Sequence, residues 1–171
     1  NPNTPFDFDL KLAADTSEKN PVFYIKYAHA RICSILKKAN ISSTLASSSV
    51  ISTPRGQSGA EKSPDKNRGQ VTIDLNDIDF KLLDNPKEIA LYKELVKFPE
   101  TLKEISTDFQ IQALPHFAYK IAGLFHDFYA NCQVIGKDKK LTAARLSLIL
   151  ATKYVLANSL NILGIDAPEK M

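Results

Sequence analysis

Apolar residues recur at intervals of three and four positions after Asn20, which is the spacing of an α-helix with one buried face. Asn20 is a residue type that caps helices, and Pro21 suits the first helical position. Tyr24, Tyr27 and Arg31 are also three and four positions apart, so they share a neighbouring face. The pattern therefore predicts a helix that begins after Asn20. The residues of its apolar stripe are Ile25, Ala28, Ile32, Ile35, Leu36 and Ala39.

Four more helical patterns occupy the second half of the chain. Segments 86–98 and 99–111 are amphipathic, and each opens with a proline and an early glutamate. Segment 140–163 is apolar over most of its circumference and is followed by Gly164, a residue suited to a left-handed helix cap. A helix that is apolar nearly all round must be central, so the sequence predicts an all-α bundle of about five or six helices.

The remaining helical pattern, 114–132, has both an apolar stripe and aromatic residues outside it. The stripe consists of Phe117, Ile121, Leu124, Phe125, Phe128 and Cys132. Tyr129 is expected on the flank of this stripe, beside the small residues Ala118 and Ala122. Tyr119 and His126 are expected to face away from the stripe, which predicts that His126 lies on the surface.

Residues 42–70 have a different composition, with eight Ser, three Gly and two Pro among few apolar side chains. Neither a helical nor a strand period continues through them. Such a segment cannot bury enough apolar area to offset the entropy of ordering it. We expect a disordered insertion loop.

Composition and length indicate a protein of about one domain without a membrane span. The chain has 171 residues, which is about one domain, and 44% of them are apolar. No run of about 18 apolar residues occurs, so we expect no membrane span. The two cysteines, Cys33 and Cys132, lie in apolar helical patterns and indicate reduced thiols in a cytoplasmic protein. Because the chain opens at Asn1 without a leader, we expect a mature or excised piece.

The net charge of +3 is unevenly distributed along the chain. Residues 21–41 carry four bases and no acid, whereas residues 71–112 carry five bases and nine acids. Residues 114–171 carry seven bases and four acids. This division suits a protein with one basic face towards a polyanion, although charges scattered over a solvated surface would give the same numbers.

Residue patterns for catalysis are absent. The sequence contains no Gly-rich phosphate loop, no His and Cys residues at metal-ligand spacing and no nucleophile elbow. His29 lies at the edge of the first apolar stripe and fits a core histidine better than a ligand, whereas His116 fits a surface residue. Asp7 and Asp9 fit solvated acids. We predict no catalytic, cofactor-binding or metal-binding residue.

Three stretches are specific enough to indicate a family. They are NPVFYIKYAHARICSI at 20–35, FHDFYANCQV at 125–134, and AARL at 143–146 followed by LGIDAPEKM at 163–171. In this order they closely resemble the anticodon-binding domain of arginyl-tRNA synthetases, a helical bundle of the DALR type. Lys170 departs from the family's usual Arg, which keeps the charge but loses the bidentate fork.

The resemblance implies a division of the chain and a set of partners. Residues 1–20 would be the segment that leaves the catalytic domain, and 21–171 would be the anticodon-binding bundle. The family joins arginine to its tRNA with ATP and Mg, but its two nucleotide-binding signatures, HIGH and KMSKS, do not occur here. The chain is therefore expected to need no cofactor itself and to be inactive alone. The expected partners are tRNA for arginine and the catalytic domain, with no DNA or membrane, in a monomer.

Unpaired loop bases of RNA are read by stacking on aromatic rings and by hydrogen bonds to their edges. Candidate anticodon-binding residues are Tyr24, Tyr27, Arg31, Tyr129, Arg145, Lys170 and Met171, the last placed by the resemblance against the pocket for the central anticodon base. Each tyrosine could instead pack at the bundle boundary, and Arg31 could be solvated. Arg145 falls inside an apolar stripe, so we favour a buried ion pair as its role, with contact to a tRNA phosphate as the second interpretation. Generic backbone contacts could come from Lys120, Lys137, Lys139, Lys140 and Lys153.

A rival interpretation from another class is a helical protein-interaction module that holds a partner helix in an apolar groove.

Overall fold

The computed structural model describes residues 10, 11, 15, 17, 19–39 and 78–171. Every regular element within these residues is helical, so the predicted all-α bundle is confirmed. The predicted insertion at 42–70 and most of the segment 1–20 lie outside the described residues. The elements are α1 (Pro21–Lys38), a short 3₁₀ helix (Phe80–Leu82), α2 (Pro86–Val96), α3 (Phe98–Asp108), α4 (Ala113–Asn131) and α5 (Lys139–Ile162).

Side-chain caps mark where three of these helices, α1, α2 and α5, begin. The Asn20 side chain accepts hydrogen bonds from the backbone N–H groups of Val22 and Phe23, as predicted for the start of α1. Asn85 and Glu88 form a reciprocal capping box on α2. The Asp138 side chain accepts hydrogen bonds from the first turn of α5. These caps satisfy backbone donors that a helix start leaves without an internal partner.

The helix ends agree less uniformly with the sequence pattern. Gly164 takes a positive φ of 71° after α5, which confirms the predicted left-handed cap. Helix α3, predicted to reach residue 111, ends instead at Asp108. The cause is Phe109, which takes a left-handed φ of 54° and interrupts the helical backbone.

Helices α4 and α5 form the middle of the bundle. Helix α5 contacts α1, α2, α4 and the 3₁₀ helix, and α4 contacts all four other α-helices. The core includes Ile121 and Phe125 of α4 and Leu146 and Leu156 of α5, all fully buried. Three buried hydroxyls on α5 donate to carbonyls four positions earlier in the helix, those of Ser147, Thr152 and Ser159. The prediction that the last helix is central is confirmed.

Arg145 forms the buried ion pair that the sequence pattern favoured. Its Nε donates to Oε1 of Glu88, a residue with no exposed surface, and its Nη1 donates to the carbonyl of Gln133 over 2.8 Å. The second oxygen of the Glu88 carboxylate accepts the backbone N–H of Asn85. Both buried charges are therefore hydrogen-bonded, which is the condition for tolerating them in a core.

No helix among the described residues is long and apolar enough to cross a membrane.

Candidate nucleic-acid interface

Rings from α1 and α4 meet in a continuous row along the contact between these two helices. Tyr24 lies 5.0 Å from both Tyr119 and His126 between ring centroids, and Tyr27 stacks on His126 at 5.7 Å. Tyr129 extends the row, joined to Tyr27 through the Arg31 side chain. We call Tyr119, Tyr24, His126, Tyr27 and Tyr129, in that order, the aromatic row.

Helical spacing explains how two segments far apart in sequence build one row. Tyr24 and Tyr27 are three positions apart on α1, so both face α4. Tyr119 and His126 are seven positions apart on α4, which returns them to one side of that helix after about two turns. Contact between α1 and α4 then interleaves the two sets of rings.

Arg31 places a cation inside this row. Its guanidinium carbon lies 5.8 Å from the centroid of the Tyr27 ring and 4.8 Å from that of Tyr129, both within cation–π range. Its Nη1 also donates to the Tyr27 hydroxyl over 2.7 Å. Among the described residues no carboxylate pairs with Arg31, so its positive charge is held in place but not neutralised.

The rings are neither core residues nor fully solvated ones. Tyr24, Tyr27, Arg31 and Tyr129 are half-buried, and Tyr119 is 44% exposed. The edges of the row are therefore accessible to a ligand, while packing between α1 and α4 limits the rotation of the rings. Preorganised aromatic side chains of this kind are what stacking on unpaired bases requires.

The position of His126 differs from the one predicted. The sequence pattern also missed that His126 and Tyr119 belong to the aromatic row. The prediction that His126 lies on the surface is wrong, because the residue is half-buried against Tyr24, Tyr27 and Phe125. It does face away from the apolar stripe of α4, but α1 packs on that side. The seven-residue spacing between Tyr119 and His126 was the available signal. Of the other histidines, His29 is buried and His116 is exposed, as predicted.

A pocket of about 320 Å³ adjoins the Tyr129 end of the row. Tyr129 and Gln133 form part of its wall, Ile35 and Cys132 supply apolar lining, and Lys38 contributes a cation. Lys38 is exposed. The basic and concave parts of the surface are thus continuous with the Arg31 end of the row.

The other candidate lysines differ in whether a carboxylate forms an ion pair with them. Lys120 pairs with Glu94 at 2.8 Å, and Lys153 lies 3.8 Å from Glu169. The described residues provide no ion pair for the exposed Lys137, Lys139 or Lys140. The structure gives these three a solvated position near the start of α5 and no contact with the aromatic row.

The last nine residues, 163–171, form a terminal segment that docks on α1. The Nδ1 of buried His29 donates to the carbonyl of Pro168 over 2.9 Å, and Lys37 pairs with Glu169 at 2.8 Å. Burial lowers the pKa of His29, and the hydrogen bond from Lys37 holds the pKa of Glu169 below its ordinary value. These contacts leave Lys170 and Met171 exposed at the end.

The terminal segment and the aromatic row contact different flanks of α1. His29 follows Tyr27 by two positions, which is about 200° around an α-helix. The structure therefore brings Tyr24, Tyr27, Arg31 and Tyr129 together, but it places Arg145 in the buried ion pair and attaches the segment bearing Lys170 and Met171 through the opposite flank.

The described residues contain no group of three or more His, Cys, Asp or Glu side chains that could hold a metal ion. Cys33 and Cys132 are both buried and unbridged, and burial raises the pKa of each thiol. Neither thiol is therefore suited to nucleophilic chemistry.

Comparison with known proteins identifies one family and relatives of one kind. Residues 53–171 match the family model of the DALR anticodon binding domain. Arginine–tRNA ligase of Salinibacter ruber is 41% identical over 170 residues, which are 99% of this chain and 25% of that protein. Arginine–tRNA ligase of Symbiobacterium thermophilum is 37% identical over 169 residues, which are 99% of this chain and 26% of that protein.

Solved structures show the same arrangement of helices. Thermus thermophilus arginyl-tRNA synthetase superimposes with a TM-score of 0.64 at 27% identity, covering 99% of this chain and 24% of that one. Plasmodium falciparum arginyl-tRNA synthetase has a TM-score of 0.68 at 22% identity and the same coverage, which is a likeness of fold.

A helical bundle with an aromatic and basic face, matched over most of its length by one family model, defines the class of this chain: it is an anticodon-binding domain. The chain belongs to the DALR anticodon-binding domain family, which confirms the resemblance found in the sequence. It spans about a quarter of the length of the curated relatives it matches.

Proposed function

We propose that this chain is the tRNA-reading part of an arginine–tRNA ligase and that it binds the anticodon loop of tRNA for arginine. The observation that carries the proposal is Arg31 held between the rings of Tyr27 and Tyr129 in a half-buried aromatic row. The names of its relatives, arginine–tRNA ligases that match nearly the whole chain, support the choice of tRNA.

Binding would combine stacking with charge. Bases of an RNA loop are unstacked and can be inserted against aromatic side chains, whose faces accept any base. Tyr24, Tyr27 and Tyr129 would supply the rings, and the guanidinium of Arg31 would contact a phosphate or stack on a base. Phosphate contacts position the loop, and contacts to base edges distinguish one base from another.

The terminal segment would add specificity. Lys170 and Met171 are exposed, and the two contacts made by Pro168 and Glu169 limit how far they can move from α1. Two extended residues reach about 7 Å beyond their anchor. We assign to Met171 a contact with the central anticodon base, and to Lys170 a contact with the RNA backbone.

The chemistry of aminoacylation would lie elsewhere in the parent enzyme. That enzyme would use ATP with Mg, and its catalytic domain would be the partner of this chain. We further propose a monomer located in the cytoplasm. We assign Arg145 to its ion pair in preference to a tRNA contact, since both its Nε and Nη1 donate to groups within the bundle.

One observation favours the rival function, a protein-interaction module. Phe80 and Tyr92 are 47% and 45% exposed and border an apolar cavity of about 210 Å³ beside α2. Such a cavity could hold a hydrophobic side chain of a protein partner.

Salt dependence separates the two functions. Binding of arginine tRNA to the chain, measured by fluorescence anisotropy from 50 to about 300 mM salt, should weaken steeply because phosphate contacts release counterions. In Arg31→Gln the slope of log affinity against log salt should be smaller by about 0.7–0.9, the amount expected for one lost phosphate contact. Salt-insensitive binding, or none, would contradict the proposal.

A further inference from the structure

Tyr119 lies at the end of the aromatic row that is remote from Arg31. The residue is 44% exposed, and its ring centroid is 5.0 Å from that of Tyr24 with the ring planes tilted by 42°. A tyrosine of this exposure leaves a large part of its surface accessible to a ligand. It nevertheless has a defined orientation, because a second ring packs against it.

The row is long enough for more than one nucleotide. Tyr119 and Tyr129 are ten positions apart on α4, which is about 15 Å at the helical rise. Stacked bases of one strand repeat at about 3.4 Å. A single base near Arg31 and Tyr129 would therefore leave most of the row uncovered.

Charge is distributed unequally between the two ends. Arg31 stands at the Tyr129 end without an acid partner among the described residues. At the other end, Lys120 follows Tyr119 directly, and it is already paired with Glu94, which also binds Lys97. A ligand at the Tyr119 end would thus be held by ring contact more than by attraction of its phosphate.

We propose that Tyr119 and Tyr24 form a second stacking subsite, which takes another unpaired base of the same RNA loop. The inference rests on the proposed function and extends it. The ligand is an unpaired nucleobase of any identity, because stacking on a ring depends weakly on which base is present. The subsite therefore contributes affinity and holds the loop open, while discrimination between bases occurs elsewhere on the interface.

The experiment uses the anticodon stem-loop of arginine tRNA with 2-aminopurine, a fluorescent base, at one loop position at a time. Stacking on a ring quenches this base, so the pattern of quenching maps bases to subsites. The variants are Tyr119→Ala, Tyr119→Phe and Tyr27→Ala. Tyr92→Ala is the matched control, since Tyr92 is 45% exposed and contacts another ring, Phe80, outside the row.

Tyr119→Ala should weaken binding about 5- to 150-fold, the effect of losing one stacked ring. It should abolish quenching at a loop position different from the one that Tyr27→Ala affects. Tyr119→Phe should restore both properties, because it keeps the ring, and Tyr92→Ala should bind like the wild type. If Tyr119→Ala lowers the melting temperature, Tyr119→Leu decides, since it keeps apolar contact with Tyr24 but offers no ring face.

Wild-type affinity and unchanged quenching in the Tyr119 variants would overturn the inference and end the binding surface at Tyr24. That result, with Tyr27→Ala still weakened, would leave the proposed function intact. Failure of the wild-type chain to bind the stem-loop would instead reject the proposed function.

Discussion

Tyr27 makes two contacts that serve different purposes and leaves part of its surface accessible. Its ring stacks on His126 at an interplanar angle of 24°, and its hydroxyl accepts a hydrogen bond from Arg31. The remaining surface is accessible, since the residue is half-buried. A base that approached this surface would meet a ring already oriented and a cation already in place, so little ordering entropy would be lost on binding.

Replacing Tyr27 tests its role directly. Tyr27→Ala should weaken tRNA binding about 5- to 150-fold, corresponding to about 1–3 kcal/mol for one stacked base. The free energy of unfolding in urea should change little, because the ring lies outside the main core. Tyr27→Phe is the control that keeps the ring and removes only the hydroxyl. Equal losses of affinity and stability in Tyr27→Ala would assign the residue to the fold instead.

Replacing Arg145 should have the opposite effect, lowering the stability of the fold and leaving the affinity for tRNA unchanged. Arg145→Ala leaves the fully buried Glu88 carboxylate without its cation, which should lower the free energy of unfolding by about 3–5 kcal/mol. The affinity of the folded protein for tRNA should stay as it was. The double variant Arg145→Met with Glu88→Leu removes both charges and should recover much of the stability. Lost affinity with unchanged stability would make Arg145 a phosphate contact.

The helices could be predicted from local sequence, whereas the contacts between residues of different helices could not. The bounds of the five helices agree with the apolar periodicity to within three residues, because caps such as Asn20 and Asp138 act on adjacent backbone. Periodicity also placed Tyr24, Tyr27 and Arg31 on one face. It could not identify Glu88 as the partner of Arg145, since 57 positions separate the two residues. Periodicity also predicted His126 on the surface, because it does not show that the distant helix α1 packs on that side of α4.

The terminal segment is an element in its own right, although it has no regular secondary structure. Removing Lys170 and Met171 should lower discrimination among anticodons and leave the unfolding free energy unchanged, because both residues are exposed. The measurement is the ratio of dissociation constants for tRNAs with different central anticodon bases. A control that removes only Met171 separates the two contributions. A ratio equal to that of the intact chain would exclude the segment from the site.

The burial of His29 should make stability depend on pH. Burial lowers the pKa of His29 in the folded chain, whereas the unfolded chain retains the ordinary value of about 6.5. Between these two pKa values the unfolded chain binds the extra proton, so stability is full above about pH 6.5 and falls as the pH drops below it. The hydrogen bond to the carbonyl of Pro168 opposes this lowering of the pKa, as does nearby Glu169, whereas Lys153 adds to it.

Urea unfolding at pH 7.5 and 5.5 measures this dependence. His29→Gln should lose less stability than the wild type over that interval, because its amide can donate to the carbonyl of Pro168 and does not titrate. His116 and His126 are present in both proteins and contribute equally. An identical loss in the two proteins would mean that His29 does not carry the effect.

At the scale of the whole molecule, charge and ring placement agree on one binding face. The segment that contains α1 carries a net charge of +4, while residues 71–112, which contain α2 and α3, carry −4. An approaching polyanion is therefore attracted towards α1 and repelled from α2 and α3. The aromatic row lies along the contact between α1 and α4, so on the proposed function this charge distribution would steer the RNA towards the rings.

Titration with tRNA tests this account most directly. The chain is titrated with arginine tRNA and with the same tRNA carrying a changed central anticodon base, at one fixed salt concentration. The account predicts tight binding of the first and an affinity for the second lower by about 1–3 kcal/mol, roughly 5- to 150-fold, because a changed base loses hydrogen bonds to its edge. Equal affinities for the two tRNAs would contradict it, because the chain would then be binding RNA backbone without reading the anticodon.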